Sequence, residues 1–165
     1  MIDVLQRLIE ALRNELQQYG EMLVLLDQQQ ELVMRRASDD LLQSVADVQA
    51  HCSVLQQARW HREQCQHAVA GALQISEDAT FAEMCPRLPS DYQPLVMALV
   101  QENNELLVRV QQRSRQNHVL LSRSVEMMQR LINTLCPGGN GPVYSPDGNL
   151  SPTVLPACAL YEAVG

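Results

Sequence analysis

The chain has 165 residues, of which 46% are hydrophobic and only 4% aromatic, and its formal net charge is -7. This length fits one domain, and an apolar content made mainly of Leu, Val, Ala and Met favours helices. All 12 basic residues are Arg, and they form no basic cluster. Because nucleic acids and anionic membranes are bound through a basic footprint, we expect no nucleic-acid partner and no direct membrane contact.

The sequence favours a cytoplasmic location. The amino terminus lacks the apolar core of a signal peptide, and no window approaches the roughly 18 apolar residues of a membrane span. Cysteines at positions 52, 65, 85, 136 and 158 follow no disulfide framework. An odd, irregular set of cysteines without a secretion signal is typical of reduced thiols in a cytoplasmic protein.

The first predicted helix covers roughly residues 2–37. Its apolar residues recur at alternating spacings of three and four, which is the a/d pattern of a coiled-coil seam. These positions are Ile2, Leu5, Ile9, Leu12, Leu16, Tyr19, Leu23, Leu26, Val33 and Ala37, with Gln30 in the one polar slot.

A second helix is predicted over roughly residues 39–73. Ser38 reads as its N-cap, followed by Asp39 and Asp40 in the first turn. The break between the two helices is so short that they must fold back as an antiparallel hairpin. Arg62 and Gln66 stand at positions of this helix where the seam pattern expects apolar residues.

A connector with a short helical turn at residues 80–85 leads to a long last helix, predicted near residues 91–135. Its apolar seam comprises Leu95, Leu99, Leu106, Val110, Leu120, Met127, Leu131 and Leu135. Five of the eight prolines and five of the seven glycines follow Cys136, so the helix must end there. The predicted fold is all-α: an antiparallel bundle of long helices, a coiled-coil hairpin plus the C-terminal helix, over residues 1–136. An irregular Gly/Pro-rich tail follows at 137–165.

The sequence carries no catalytic or nucleotide-binding motif, so we expect no enzyme and no cofactor. Metal-capable residues are crowded only at His51, Cys52, His61, Cys65 and His67. His61 and Cys65 share one helix face, but structural zinc needs four ligands in strict geometry, so no metal site is predicted.

Two interpretations stay open for the polar residues of the last helix, Asn117 and Ser124. Either they are polar positions that fix helix register, as an a-position Asn does, or they belong to an exposed groove for a partner helix. In the second case the groove is lined by the apolar side chains Leu120, Leu121, Met127 and Met128.

The C-terminal third resembles the FlgN family of flagellar type III export chaperones. The resemblance rests on the spacing Asn117-x-x-Leu120-Leu121-x-x-Ser124, then Leu131-x-x-x-Leu135, then Tyr144-x-x-x-Gly148. The first helix agrees through Leu12, Glu15, Tyr19, Leu23 and Leu26. The resemblance covers roughly residues 5–148.

This resemblance implies a cytoplasmic export chaperone for the hook–filament junction proteins, FlgK and FlgL. Such a chaperone holds the helical termini of these clients and delivers them to the flagellar export gate, so that it meets the membrane only through the export apparatus. Its client and gate contacts are carried over to Leu120, Leu121, Ser124, Leu131 and Tyr144.

Two other functions remain as alternatives. The first is a coiled-coil adaptor or dimeric scaffold, which would use the first-helix seam between chains. The second is a metal- or redox-responsive helical sensor built on Cys52 and Cys65.

Overall fold

The structure is a computed structural model that describes residues 1–35 and 37–135. In this part of the chain there are four α-helices and no strand: α1 (Ile2–Arg35), α2 (Ser38–Ala72), α3 (Phe81–Met84) and α4 (Gln93–Leu135). A 3-10 helix at Cys85–Arg87 follows α3 directly. The all-α prediction is confirmed, and the three long helices begin and end within two residues of the predicted bounds.

The chain divides into two compact units, with the boundary inside α4. The first comprises Met1–Ser124 and contains α1, α2, α3 and most of α4. The second comprises Val125–Gly165, and its described part is the last stretch of α4, residues 125–135. The predicted tail at 137–165 lies outside the described residues.

Helices α1 and α2 form the antiparallel hairpin that the short break predicts. Arg62 of α2 binds Glu15 of α1, whereas His51, earlier on α2, bonds to the backbone oxygen of Gln18, later on α1. Because the contacts move forward on α1 as they move backward on α2, the two helices run in opposite directions. The helix α2 begins at Ser38, and Ala37 takes the N-cap position without a side-chain hydrogen bond. The prediction of Ser38 as the cap is therefore wrong.

Helix α4 runs parallel to α1 in a fixed register. The side-chain amide of Asn103 donates to the backbone oxygen of Leu12 at 3.0 Å, and that of Asn117 donates to the oxygen of Leu26 at 2.7 Å. Both pairs are 91 residues apart. This separation is a whole number of heptads, so equivalent heptad positions of the two helices face each other.

The register produces five successive layers between α1 and α4. In order from the N-terminal end of α1, the pairs that share this spacing are Leu5 with Val96, Leu12 with Asn103, Tyr19 with Val110, Leu26 with Asn117, and Val33 with Ser124. All members of the first four layers are less than one tenth exposed. The α4 seam therefore runs through Val96 and Asn103. It does not run through Leu95, which the sequence pattern favoured and which is 38% exposed.

Helix α1 buries two stripes because it packs against both long neighbours. Besides the predicted seam, it buries a second set of residues: Leu8, Ala11, Glu15, Met22 and Gln29. The connector between α2 and α4 covers the core beside the first half of α1. Its buried residues there are Ala79, Met84, Cys85 and Leu88. Helix α1 therefore contributes two buried stripes to the bundle.

A buried ion pair explains why α2 carries Arg62 at a core position. The Arg62 Nε donates to Glu15 Oε2 at 3.0 Å, and the Tyr19 hydroxyl donates to Glu15 Oε1 at 3.1 Å. Arg62 also donates to Gln66, whose amide donates to the backbone oxygen of Ala79 in the connector. Burial, and then the carboxylate of Glu15, raise the pKa of Tyr19 above its usual range, so the phenol stays a donor.

Candidate partner-binding surface

Three of the predicted site residues lie half-buried on the last turns of α4 within the first unit. Leu120, Leu121 and Ser124 are each partly covered, and an extension of the 91-residue register by one heptad places Ser124 level with Val33 of α1. Helix α1 ends at Arg35, two residues after Val33. Leu120 and Leu121 therefore contribute to the bundle as well as to its surface.

Asn117 lies inside the bundle. Its side chain is 2% exposed and donates both to the backbone oxygen of Leu26 and, at 3.1 Å, to the side-chain oxygen of Gln29. These contacts are those of a residue that fixes the register of α4 on α1. Its position beneath the surface makes a direct partner contact unsuitable for this residue, whereas Leu120 and Leu121 above it reach the surface.

The described part of the second unit exposes every large apolar side chain that it contains. The exposed fractions are 57% for Val125, 55% for Met127, 53% for Met128, 59% for Leu131, 56% for Ile132 and 78% for Leu135. We call this stretch, residues 125–135, the exposed apolar segment. Contiguous apolar surface of this kind on a helix is typical of a site for another protein.

Two polar side chains of this segment form hydrogen bonds within their own helix. The Thr134 hydroxyl donates to the backbone oxygen of Arg130 at 2.8 Å, and the Gln129 amide donates to Asn133. Met127, Met128, Leu131 and Leu135 follow helical spacing and share one face. This apolar stripe is therefore the part of the segment that a partner would bury. Met side chains suit such a surface because they adapt to different partners.

Three residues of this region were missed in the sequence, namely Val119, Val125 and Ile132. They are 47%, 57% and 56% exposed. They lie beside the a/d seam pattern and not in it, so a search for the seam passes over them. A helical wheel that asks which apolar residues lie outside the seam would have found them. Two predicted site residues, Tyr144 and Gly148, lie outside the described residues.

A polar depression between α1 and α4 offers a different kind of surface. It has a volume of about 360 Å³ and is lined by Leu23, Asp27, Arg109, Gln112, Arg113 and Gln116. The Arg113 side chain contacts Asp27 at 2.7 Å and Gln30 at 2.6 Å. Its charge is therefore engaged in holding α4 to α1, and the depression contributes to the bundle and not to the apolar surface.

The cysteine and histidine residues of α2 form no metal site in the described part of the chain. Within residues 1–35 and 37–135, no three His, Cys, Asp or Glu residues are grouped to hold an ion. His61 Nε2 lies 3.9 Å from Cys65 Sγ, without a third ligand. Burial raises the pKa of both Cys65 and Cys85, which favours the thiol over the metal-binding thiolate.

Together these features define a class of protein. A bundle of long helices, whose last helix ends in an exposed apolar segment, is a helical protein that binds other proteins. None of the helices among the described residues has the length and the apolar content of a membrane span.

The family follows from a comparison with known proteins. Residues 1–152 match the model of the family described as FlgN protein, so the chain belongs to the FlgN family, a family of flagellar export chaperones and not of enzymes. This match spans α1 to α4 and extends beyond them. No curated protein and no solved structure matches the chain.

Proposed function

We propose that this protein is a cytoplasmic export chaperone for hook–filament junction proteins of the FlgK and FlgL type, and that it delivers them to the flagellar export gate. Family membership supplies the general role, the binding of flagellar export substrates. The observation that carries the choice of surface is the exposure of all six large apolar side chains between Val125 and Leu135.

The chemistry of this surface suits a helical client. An amphipathic helix is recognised in grooves and on faces through apolar anchors at i, i+3, i+4 and i+7. The exposed apolar segment presents anchors at this spacing, namely Met128, Leu131, Ile132 and Leu135. An unfolded, export-ready client exposes apolar helix faces, and the exposed apolar segment would cover one of them. Because the segment is short, binding is expected to be reversible, as delivery requires.

Charge substitution within the exposed apolar segment tests this role. Met128→Asp combined with Leu131→Asp places two carboxylates in the apolar contact, and burying an unpaired charge costs several kcal/mol. Micromolar affinity corresponds to about 8 kcal/mol, so we expect the double variant to weaken binding of a FlgK- or FlgL-type C-terminal peptide at least about 100-fold. Titration calorimetry measures this, with helix content followed by circular dichroism.

A matched control comes from the first unit. Val108 is 60% exposed on α4, as exposed as Leu131, but it lies away from the segment. Val108→Asp should bind the peptide normally. If the peptide binds Met128→Asp/Leu131→Asp as tightly as the parent chain, the exposed apolar segment is not the client surface.

Leu120 and Leu121 remain part of the proposed client surface, but their test needs more care. Leu120→Asp with Leu121→Asp should abolish binding as well. Because both side chains are half-buried, the same change is expected to destabilise the bundle. A loss of binding counts for the surface only if thermal unfolding shows that the variant is still folded at the temperature of the titration.

The gate contact is proposed to lie in the tail at 137–165, separate from the bundle at 1–136. Tyr144 stands between Gly141-Pro142 and Pro146-Asp147-Gly148, a turn-forming sequence that suits an aromatic anchor for a partner pocket. Tyr144→Ala should leave the melting temperature and client binding unchanged while it weakens binding to the export gate. A variant that melts several degrees lower and binds the gate normally would argue against this contact.

The scaffold alternative is disfavoured by the burial of α1. That alternative needs the first-helix seam to pair between chains, but Leu5, Leu12 and Leu26 are buried within one chain. The metal-responsive form of the sensor alternative, which rests on Cys52 and Cys65, is disfavoured because no three His, Cys, Asp or Glu residues are grouped to hold an ion in the described part of the chain.

A further inference from the structure

The outward side of α2 carries an unusual surface between Leu42 and Ala72. The positions within about 60° of Gln57 on the helical wheel contain no Asp, Glu, Lys or Arg over this whole length. We call these positions the uncharged face of α2. In a chain of net charge -7, so long a stretch of helix without a charge on one side calls for an explanation.

Large apolar side chains stand exposed on this face. Leu42 is 74% exposed, Trp60 is 63% exposed and Val54 is 45% exposed. Interfaces between proteins are depleted of charged residues and enriched in Trp, which often carries much of the binding energy. The bundle core does not need these side chains, because α2 contributes Val48 and Val69 to the core from its other side.

We propose that the uncharged face of α2 binds the same face of a second copy of this chain, as an antiparallel pair of α2 helices with its two-fold axis at Gln57. In such a pair, each residue faces the one that lies equally far from Gln57 in the other direction. Large side chains then meet smaller ones in successive pairs, of which three are Val54 with Trp60, Gln43 with Gly71, and Leu42 with Ala72.

The remaining positions of the face fit the same pairing. Ser53 faces His61 and Ala50 faces Gln64, again a small residue against a larger one, and Ala46 faces Ala68, where two small residues let the helices approach. On the helical wheel, the two members of each pair lie on opposite sides of Gln57. In the dimer, a side chain therefore packs beside its partner and does not collide with it. A face that is complementary to itself in this way is the requirement for a two-fold symmetric, isologous interface.

Charge also favours a second copy over a different partner. Two chains of net charge -7 repel each other wherever acidic faces meet, and this face avoids that repulsion. A different protein that binds through charged groups would find no Asp, Glu, Lys or Arg on the uncharged face of α2 to pair with. This interface differs from the scaffold alternative above, because α1 stays buried within each chain.

The expected dimer is weak. Roughly thirty residues of helix span about 45 Å, and a contact strip as wide as the helix itself, about 12 Å, covers on the order of 550 Å² on each copy. The total of roughly 1,100 Å² lies at the lower limit of specific interfaces. We therefore expect association in the micromolar range, which sedimentation velocity detects between about 5 and 500 µM of the full chain.

Two single substitutions and their combination test the pairing. Val54→Glu and Trp60→Arg should each lower the association constant at least about tenfold, because each places a charge in the contact. Their signs are opposite, so a change of net charge alone does not explain both. In the double variant, the carboxylate introduced at position 54 of one copy faces the guanidinium introduced at position 60 of the other, and this contact occurs twice. Dimerisation should therefore return at an unchanged net charge of -7.

Controls separate this interface from the exposed apolar segment. Leu131→Glu, at a side chain that is 59% exposed, should leave the dimer intact. Trp60 is the single Trp of the chain, so its emission should shift to the blue with concentration in the parent chain and not in Val54→Glu. A monomer at all concentrations, or a dimer that both single variants retain, overturns the proposal. A double variant that fails to dimerise overturns the antiparallel pairing about Gln57.

Discussion

Removal of the Arg62 guanidinium is expected to destabilise the bundle strongly. Arg62 Nε lies 3.0 Å from Glu15 Oε2, and the side chains of the two residues are 16% and 5% exposed. At an effective dielectric constant of about 20, two charges at this distance attract by roughly 5 kcal/mol. The variant no longer has to remove a guanidinium from water when it folds, which offsets part of this loss. Among the described residues, the carboxylate left behind in the core keeps the Tyr19 hydroxyl as its side-chain donor.

For Arg62→Met we therefore expect a loss of about 3–4 kcal/mol in the free energy of unfolding, as is usual when one partner of a buried pair is removed. Urea unfolding followed by circular dichroism measures this loss as a lower midpoint. For a chain of this size, the melting temperature should fall on the order of 10 °C. The loss includes the hydrogen bond from Arg62 to Gln66, which is worth about 1 kcal/mol.

Two controls identify the buried charge as the cause. Arg35 pairs with Glu31 at 3.5 Å, but their side chains are 75% and 66% exposed, so Arg35→Met should change stability by less than about 0.5 kcal/mol. Glu15→Gln added to Arg62→Met removes the unpaired charge and should recover at least half of the loss. An equal, small effect of Arg62→Met and Arg35→Met, or no recovery in the double variant, would refute this reasoning.

Three further substitutions and one analysis test other features of the bundle. Asn103→Val removes two hydrogen bonds from Nδ2 to backbone oxygens, but it also removes a buried Oδ1 that has no hydrogen-bond partner among the described residues. It should therefore raise the unfolding free energy by about 1 kcal/mol, and a lower urea midpoint would contradict this. Gln74 follows α2 with a φ of 56°, so Gln74→Gly should raise thermal stability by up to about 1 kcal/mol, and an unchanged melting curve would argue against strain there. Hydrogen bonds from Thr80 lower the pKa of Glu83. The contribution of the Glu83 carboxylate to stability is therefore present above about pH 4.5 and is lost as the pH falls. Glu83→Gln should flatten the acid side of a curve of stability against pH. Elemental analysis of the purified protein should find no stoichiometric zinc.

The sequence determined the helices and the hairpin. Alternating spacings of three and four make α1 amphipathic whatever it packs against, and Pro86 is the first proline of the chain, so nothing interrupts α1 or α2. The Gly and Pro residues after Cys136 bounded α4 in the same way. These features depend on local backbone preferences and on helical periodicity, which are properties of short stretches of sequence.

The partners of the polar residues that join different helices were decided by the tertiary structure. Arg62 looks like a defect of the α2 seam until Glu15 and Tyr19 are seen beside it on α1. Asn117 fitted either a register position or a groove, and only the 91-residue register with α1 places it against Leu26. A periodic pattern states which face of a helix is apolar, but not which other helix meets it.

The same limit applies to the candidate partner-binding surface. Met127, Leu131 and Leu135 continue the seam pattern of α4, so the sequence assigned them equally to the core and to a binding surface. Their exposure in the structure excludes them from the core. Whether an apolar stripe is core or surface depends on whether another element of the chain covers it. That is a property of the packed bundle, which the periodicity of a single helix does not contain.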